Sequence, residues 1–230
     1  MRQEPFAVIW DVDGTLVDTA EMHFDAWVRM ANELGRPFSR DDFSATFGRR
    51  NPEIIRFLFH QNFTEQEVRE IGERKETYYR SEAEKGIELL PGVSDLLAAL
   101  ADRGVRQGVG SSAPRGNLDL ILSLTASAKY FQTIVGMEDT QRGKPDPQVF
   151  LVAAERLGVP PNRCVVFEDA IAGVQAAKSG GMKCVAVTFA GHHGKEKLEE
   201  AGADRVVTSF DDISADDVLT MLADSSEAEV

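Results

Sequence analysis

The sequence predicts an α/β protein, a parallel sheet covered by helices on both faces, with an all-helical segment inserted after the first strand. Two patterns predict it. Beyond Gly86, short Val/Ile/Ala-rich runs alternate with amphipathic stretches, as in strand–helix units that build a parallel sheet. Between residues 19 and 85 every apolar pattern has the helical period, and no strand candidate interrupts it. The 230 residues suffice for one large domain or for a core with an insert.

The first strand is residues 6–10, FAVIW. A helix start follows: Asp18 with Glu21 three residues on fits a capping box, and Thr19 is a neighbouring candidate cap. Phe24, Trp27, Val28, Ala31 and Leu34 then recur at helical spacing until Gly35 and Pro37 end the run. Further helices are expected over 40–47, 52–60 and 64–84, the last opening on a capping box of Thr64 and Glu67. Then come strand 105–110, helix 114–124, strand 133–135, helix 147–157, strand 163–167, helix 170–179 and strand 183–188. Weaker signals lie at 204–207 and 216–222, and the tail DSSEAEV reads as frayed and solvated. The expected division is an α/β core of residues 1–17 and 87–230 and a helical unit of 18–86. The chain would cross between them near 15–18 and 85–90.

Thirty-eight acidic against 25 basic residues give a net charge of −13. Such a surface repels nucleic acid and anionic membranes, while a local basic pocket can still hold a phosphate. The only cysteines, Cys164 and Cys184, each sit in an apolar strand-like run and read as buried thiols. MRQEPF lacks the apolar stretch of a signal peptide, and no segment reaches membrane-spanning length, so a cytoplasmic location is expected. A monomer is the expected state.

The chemistry gathers where strands end. In open α/β sheets ligands bind outside the carboxyl ends of the strands, near the switch in strand order. The first strand ends in DVDGT, which puts Asp11 and Asp13 on one side of the chain. Two anions about 5 Å apart repel by roughly 3 kcal/mol at an effective dielectric near 20, so something must offset the pair. The second strand ends in Ser111-Ser112, GKPDP beyond the third carries Lys144, and the fourth ends in Glu168-Asp169. Four carboxylates share a pocket only with cations, and an all-oxygen set suits a hard divalent ion such as Mg²⁺ beside a substrate phosphate. Lys144 adds positive charge, Gly14 permits a sharp turn, and backbone N–H groups after Asp11 and Ser111 are suited to phosphate oxygens. This is the equipment of phosphoryl transfer through an aspartyl-phosphate, with Asp11 as candidate nucleophile and Asp13 as general acid and base.

DVDGT, GSSAP, GKPDP and FEDAIAGVQAAKSGGM, in that order, resemble the four-motif signature of the haloacid dehalogenase superfamily over essentially the whole chain. The resemblance implies a Rossmann-like core with a four-helix cap. It also implies Mg²⁺ held by Asp11, the Asp13 carbonyl and Asp169 with Glu168 assisting, and phosphate held by Ser111 and Lys144. DTAEMHFDAW is similar to the first cap helix of the family's β-phosphoglucomutase branch, which implies that His23 contacts Asp13 in the open form and that Thr19 sits at the hinge. Arg80 falls where that branch has a cap lysine. The branch's lysine-glycine-x-x-arginine stretch is replaced here by TFGRRN, with the lysine missing and the arginines shifted. The expected activity is therefore a Mg²⁺-dependent phosphatase of a small phosphorylated metabolite, a sugar phosphate, with β-phosphoglucomutase activity as the alternative. Gly14, Thr15, Thr19, His23, Arg49, Arg50, Asn51, Arg80, Ser112 and Ala113 are the expected substrate-binding positions.

Plainer readings stand beside these. Ser111, Ser112 or Glu168-Asp169 can cap helices, His23 can border an apolar face, and Arg49-Arg50 can be a solvated pair. GVGSSA imitates a dinucleotide fingerprint, but its first glycine lies inside the strand and no acidic residue stands at a suitable strand end downstream. His192-His193 lacks the further ligands of a metal site. A phospho-acceptor signalling domain gathers similar groups, yet is uncapped and carries its acceptor on a later strand.

Overall fold

A computed structural model describes residues 5–59, 62–191 and 193–224. The carboxyl tail and His192 lie outside the described residues. Six strands form one parallel sheet: β1 (Ala7–Trp10), β2 (Arg106–Gly110), β3 (Thr133–Val135), β4 (Cys164–Glu168), β5 (Lys183–Val187) and β6 (Arg205–Val207). Their order is β3-β2-β1-β4-β5-β6, so successive strands build outward on one side of β1 and then on the other. This reversal puts the ends of β1, β2 and β4 side by side at the switch point. Ala7 pairs with both Arg106 and Cys164, which fixes the register of the three strands.

The alternation along β1 explains why a continuous apolar run was needed. Val8 and Trp10 face a core shared with α5 (Val93–Asp102), α6 (Arg115–Leu124) and α10 (Ala215–Asp224). Ala7 and Ile9 face the other core, shared with α7 (Gln148–Leu157) and α8 (Ile171–Ser179). With both faces covered, neither set of side chains reaches water. Trp10 stacks on Phe167 with centroids 4.4 Å apart and donates its indole N–H to Gln107 Oε1 at 3.1 Å.

Four helices form the inserted cap: α1 (Ala20–Glu33), α2 (Arg40–Thr46), α3 (Asn51–Phe59) and α4 (Glu65–Ala83). Trp27, Phe43, Ile55 and Val68 belong to their separate apolar cluster, which takes in Ala170 from the loop after β4. The chain leaves and re-enters the sheet side by side, with Leu90 N donating to Leu16 O at 2.8 Å. The reciprocal capping box of Thr64 and Glu67 is formed. That of Asp18 and Glu21 is not: Thr19 is the N-cap, and its hydroxyl donates instead to Asp13 at 2.6 Å, while Glu21 pairs with Arg40. The stronger charge-assisted partner takes the hydroxyl.

Two helices were absent from the sequence expectations. In α5 the buried Val93, Leu96, Leu97 and Leu100 keep the helical period. The six residues of α9 (Lys195–Glu200) bury only Leu198, too little for any period to be read. No helix among the described residues is long and apolar enough to cross a membrane.

Candidate active site

The ends of β1 and β4 meet directly, Asp11 N donating to Phe167 O at 3.0 Å. This brings Asp11 beside Glu168 and Asp169, all three buried. Each offers an oxygen within 4.8 Å of the others. Buried Lys144, from the loop before α7, donates to Asp11 Oδ1 and to Glu168 Oε1, both at 2.6 Å. The other Glu168 oxygen accepts the N–H groups of Asp169 and Ala170 at 2.8 Å, so this side chain caps the turn into α8 as well as lining the site. Gly173 leaves room for it, since a Cβ there would lie 1.8 Å from Glu168 Oε1.

One lysine does not balance three carboxylates. Burial, with Glu168 and Asp13 adding to it, pushes the Asp11 carboxyl up to about 7 despite the attraction of Lys144. Burial beside Glu168 and Asp11 raises Asp169 well above its usual value. Asp169 Oδ2 is buried without a hydrogen-bond partner. It lies where a Cβ on Gly14 would approach to 2.0 Å, and Gly14 has φ +86, a conformation that disfavours side chains for a second reason. A buried carboxyl oxygen without a partner, in an all-oxygen donor set that resists ionising unaided, fits a hard divalent cation, and Asp11, Glu168 and Asp169 are the side chains able to hold one.

The Asp13 side chain does not join this cluster, contrary to the expectation of four carboxylates sharing one pocket with cations. Its Oδ1 turns to the cap, where it accepts from Thr19 at 2.6 Å, faces His23 Nε2 at 3.1 Å and meets Tyr79 Oη at 3.4 Å. Burial works to raise its pKa, but His23, Thr19 and Lys75 together hold the carboxyl down at about 2. Turning away lessens the repulsion a fourth carboxylate adds, although Asp13 still contributes to the raised values of Asp11 and Asp169.

Behind His23 runs a polar chain that the sequence reading missed. Lys75 Nζ lies 2.6 Å from His23 Nδ1 and donates to Glu76 Oε1 at 3.0 Å. An ammonium group only donates, so His23 accepts at Nδ1 and presents Nε2–H to Asp13. Glu76 also accepts from Asn51 and from Asn117 of α6, each at 2.6 Å. His23 stacks on Tyr79, centroids 4.0 Å apart. The signal was present: on α4 Lys75 and Glu76 fall on the same buried face as Val68, Ile71, Tyr79 and Ala83. Charges on an apolar stripe mark a buried pair.

Burial opposes ionisation of Glu76, yet Lys75, His23, Asn51 and Asn117 outweigh it and lower its pKa below the usual 4.5. A carboxyl whose native value is depressed contributes stability that is complete above 4.5 and is lost as pH falls through the lower native value. Glu76→Gln is expected to lower the melting temperature at pH 7, since Lys75 then stays buried unpaired, and to flatten the loss between pH 5 and 3. Thermal melts across that range check it; a variant with the wild-type acid limb would refute the assignment.

A cleft of about 560 Å³, open solvent included, separates the cap from the sheet. Asp11, Asp13, Ser111, Ser112 and Ala113 line its floor; His23, Trp27, Phe43, Phe47, Arg49, Asn51, Lys75 and Glu76 line its cap side. Ser111 uses its N–H on Val135 O and its Oγ as acceptor for Ala113 N, so it shapes the turn into α6 while it faces the cleft.

Five of the ten expected substrate positions do not line the cleft. Thr15 is fully buried in the turn after β1 and does not line the cleft. Arg80 points past the cleft to Asn117 and Glu73, because it lies five residues beyond Lys75 on α4, about 140° around the helix. Arg50 is buried against the loop that carries Lys144. Gly14 shapes the bed of Asp169, and Thr19 serves Asp13.

The family model described as "Haloacid dehalogenase-like hydrolase" matches residues 8–187. The chain is 36% identical to the β-phosphoglucomutase of Bacillus subtilis over 215 residues, 90% of this chain and 91% of that one. It is 34% identical to the phosphorylated carbohydrates phosphatase of Thermotoga maritima over 205 residues, 86% of this chain and 91% of the relative. The crystal structure of a β-phosphoglucomutase from Clostridium difficile superposes with a TM-score of 0.86 at 27% identity, covering 97% of this chain and 99% of that chain.

Proposed function

The chain belongs to the haloacid dehalogenase-like hydrolase family and is a phosphoryl-transfer enzyme, and from that premise we propose that it hydrolyses a sugar monophosphate in a Mg²⁺-dependent reaction. The observation that carries this reading is the buried group of Asp11, Lys144, Glu168 and Asp169, whose Asp11 lines the floor of a capped cleft. Bound by Asp11, Asp169 and the Asp13 carbonyl, with Glu168 assisting, Mg²⁺ would neutralise charge on the phosphoryl oxygens and on the carboxylates.

An Asp11 oxygen attacks phosphorus, the bond to the ester oxygen breaks, and the departing alkoxide takes a proton from Asp13. Water then attacks the aspartyl-phosphate, Asp13 recovers a proton from it, and inorganic phosphate leaves with the Asp11 carboxylate restored. Lys144 and Ser111 orient the phosphoryl group through both steps. With its Oδ1 accepting from Thr19 and facing His23 Nε2–H, Asp13 stands ionised, as the second step requires. To serve the first, it must give up these contacts and carry a proton when the ester bond breaks.

The division of the helical unit at residues 18–86 and the core at 1–17 and 87–230 belongs to the same reading, with the adjacent crossings at Leu16 and Leu90 as the hinge. Hydrolysis is favoured over mutase chemistry by the cations of the cap. Lys75 is matched by Glu76, Arg80 by Glu73, and Arg50 is spent on backbone carbonyls, which leaves Arg49 as the cation facing the cleft without an acidic partner among the described residues. The second phosphate of a sugar bisphosphate, carrying nearly two charges, calls for more.

The expected result of a phosphate-release screen is turnover of sugar monophosphates that chelator abolishes and Mg²⁺ restores. With β-glucose 1-phosphate and a trace of bisphosphate, free phosphate is expected; glucose 6-phosphate would favour the mutase instead.

A further inference from the structure

We infer that Arg50 is a positioning residue: its guanidinium couples cap closure to the loop that carries Lys144, so that the catalytic floor is completed only when the cap is down. The inference rests on the reading above for the role of Lys144. The guanidinium faces away from the cleft. Arg50, at the turn between α2 and α3, donates Nη1 to Thr140 O at 3.0 Å and Nη2 to Arg142 O at 2.9 Å and to the Thr140 hydroxyl. A planar fork spanning two carbonyls two residues apart fixes both the height and the tilt of that segment, which a single ammonium cannot do. Lys144 follows two residues later.

The opposing surface is shaped for this contact. A Cβ on Gly143 would lie 2.5 Å from Glu53 Oε1 and 3.0 Å from Arg50 Cδ, both cap atoms. The absent side chain therefore makes room for the cap. The same turn reaches the second catalytic loop, where a Cβ on Gly48 would stand 3.1 Å from Ala170 Cβ, immediately after Asp169. One turn of the cap thus packs on both loops that carry Lys144, Glu168 and Asp169, the groups around Asp11. The cost is visible in the buried Arg50 Nε, which has no hydrogen-bond partner. A guanidinium buried in this way, with Glu53, Glu138 and Asp146 nearby but no carboxylate in ion-pair contact among the described residues, is held for geometry more than for stability.

Displacing a catalytic group by about 1 Å costs on the order of 100-fold in rate, which sets the scale of the test. On a sugar monophosphate turned over by the wild type, Arg50→Gln is expected to lower kcat by about 10- to 100-fold while KM moves less than about threefold. Arg50→Lys should recover only part of kcat. Gly143→Ala, which pushes on the same contact from the core side without removing a charge, should lower kcat in the same manner. The amides of Gln141 and Arg142, both bonded to Gln148 Oε1, should exchange with solvent faster in Arg50→Gln than in wild type, a readout independent of turnover. A raised KM at unchanged kcat would make Arg50 a substrate ligand and overturn the inference. Wild-type kinetics and exchange in both Arg50→Gln and Gly143→Ala would overturn it as well. Failure of the wild type to release phosphate from any sugar monophosphate would instead overturn the hydrolase reading, with the exchange measurement still deciding the coupling.

Discussion

Asp11→Asn is expected to lower kcat on every phosphomonoester by at least about 10⁴-fold, the scale on which enzymes lose activity when the attacking atom is removed. The substitution keeps the size and much of the hydrogen bonding of the side chain but removes the oxygen anion that bonds to phosphorus. The fold should survive. The Asp11 carboxyl is pushed up to about 7 from 3.8, first by burial and then by Glu168, with Lys144 pulling the other way. The sign follows from linkage: a native state that resists ionising an acid loses stability as pH climbs from the unfolded value of 3.8 through about 7. Asparagine cannot ionise, so without metal the variant should melt at or above the wild-type temperature at pH 7.5. Kinetics, intact-mass detection of a phosphoryl adduct and thermal melts together check this. Full turnover by Asp11→Asn would eliminate the proposed nucleophile.

Lys144→Ala is expected to have the largest effect on stability. The lysine is buried between Asp11 and Glu168, 2.6 Å from each, and its removal leaves carboxylates packed together without a cation. Breaking a buried pair from one side costs about 3–5 kcal/mol, mostly through the charge left behind. The deficit should shrink in two circumstances. At pH 5 Asp11 and Asp169, whose pKa values are already raised, hold protons more readily and the repulsion relaxes. Millimolar Mg²⁺ should also recover part of the loss, because a ligand that binds only the native state stabilises it by mass action. The lysine itself adds no pH dependence in this range: its own pKa is raised, so its contribution would fade only at strongly alkaline pH. Thermal melts at pH 5 and 7.5, with and without Mg²⁺, check the pattern; equal melting of variant and wild type under all four conditions would show that the charge balance is misjudged. Activity should fall with stability, but pH and metal should not restore it, since the phosphoryl group has lost its cation.

Much of this site was legible because its information is local. Asp11, Ser111 and Glu168-Asp169 each stand at or just beyond a strand whose apolar run can be read by itself, Lys144 follows in the loop between β3 and α7, and a parallel sheet brings such ends to one edge. The unread parts lie on the cap. On α4 the choice between Lys75 and Arg80 is decided by which stripe of the helix meets the neighbouring helix and the sheet, a matter of rotation rather than of composition. Arg50 beside Arg49 is the same problem at a turn: adjacent arginines of equal chemistry, one lining the cleft and one buried on the core.

What the sequence determined, then, was the alternation of apolar and polar residues that dictates strands, helices and the sheet edge where the acids, hydroxyls and lysine collect. Only the tertiary structure decided that Asp13 turns from the other carboxylates toward Thr19 and His23, that Lys75 and not Arg80 stands behind His23, and that Arg50 grips the Lys144 loop. The reason is physical. Periodicity fixes which face of one element is buried, whereas a polar group buried between elements takes whichever partner the packing brings within about 3 Å, and that partner stands on another element, from 6 residues away for Asp13 and Thr19 to 92 for Arg50 and Arg142.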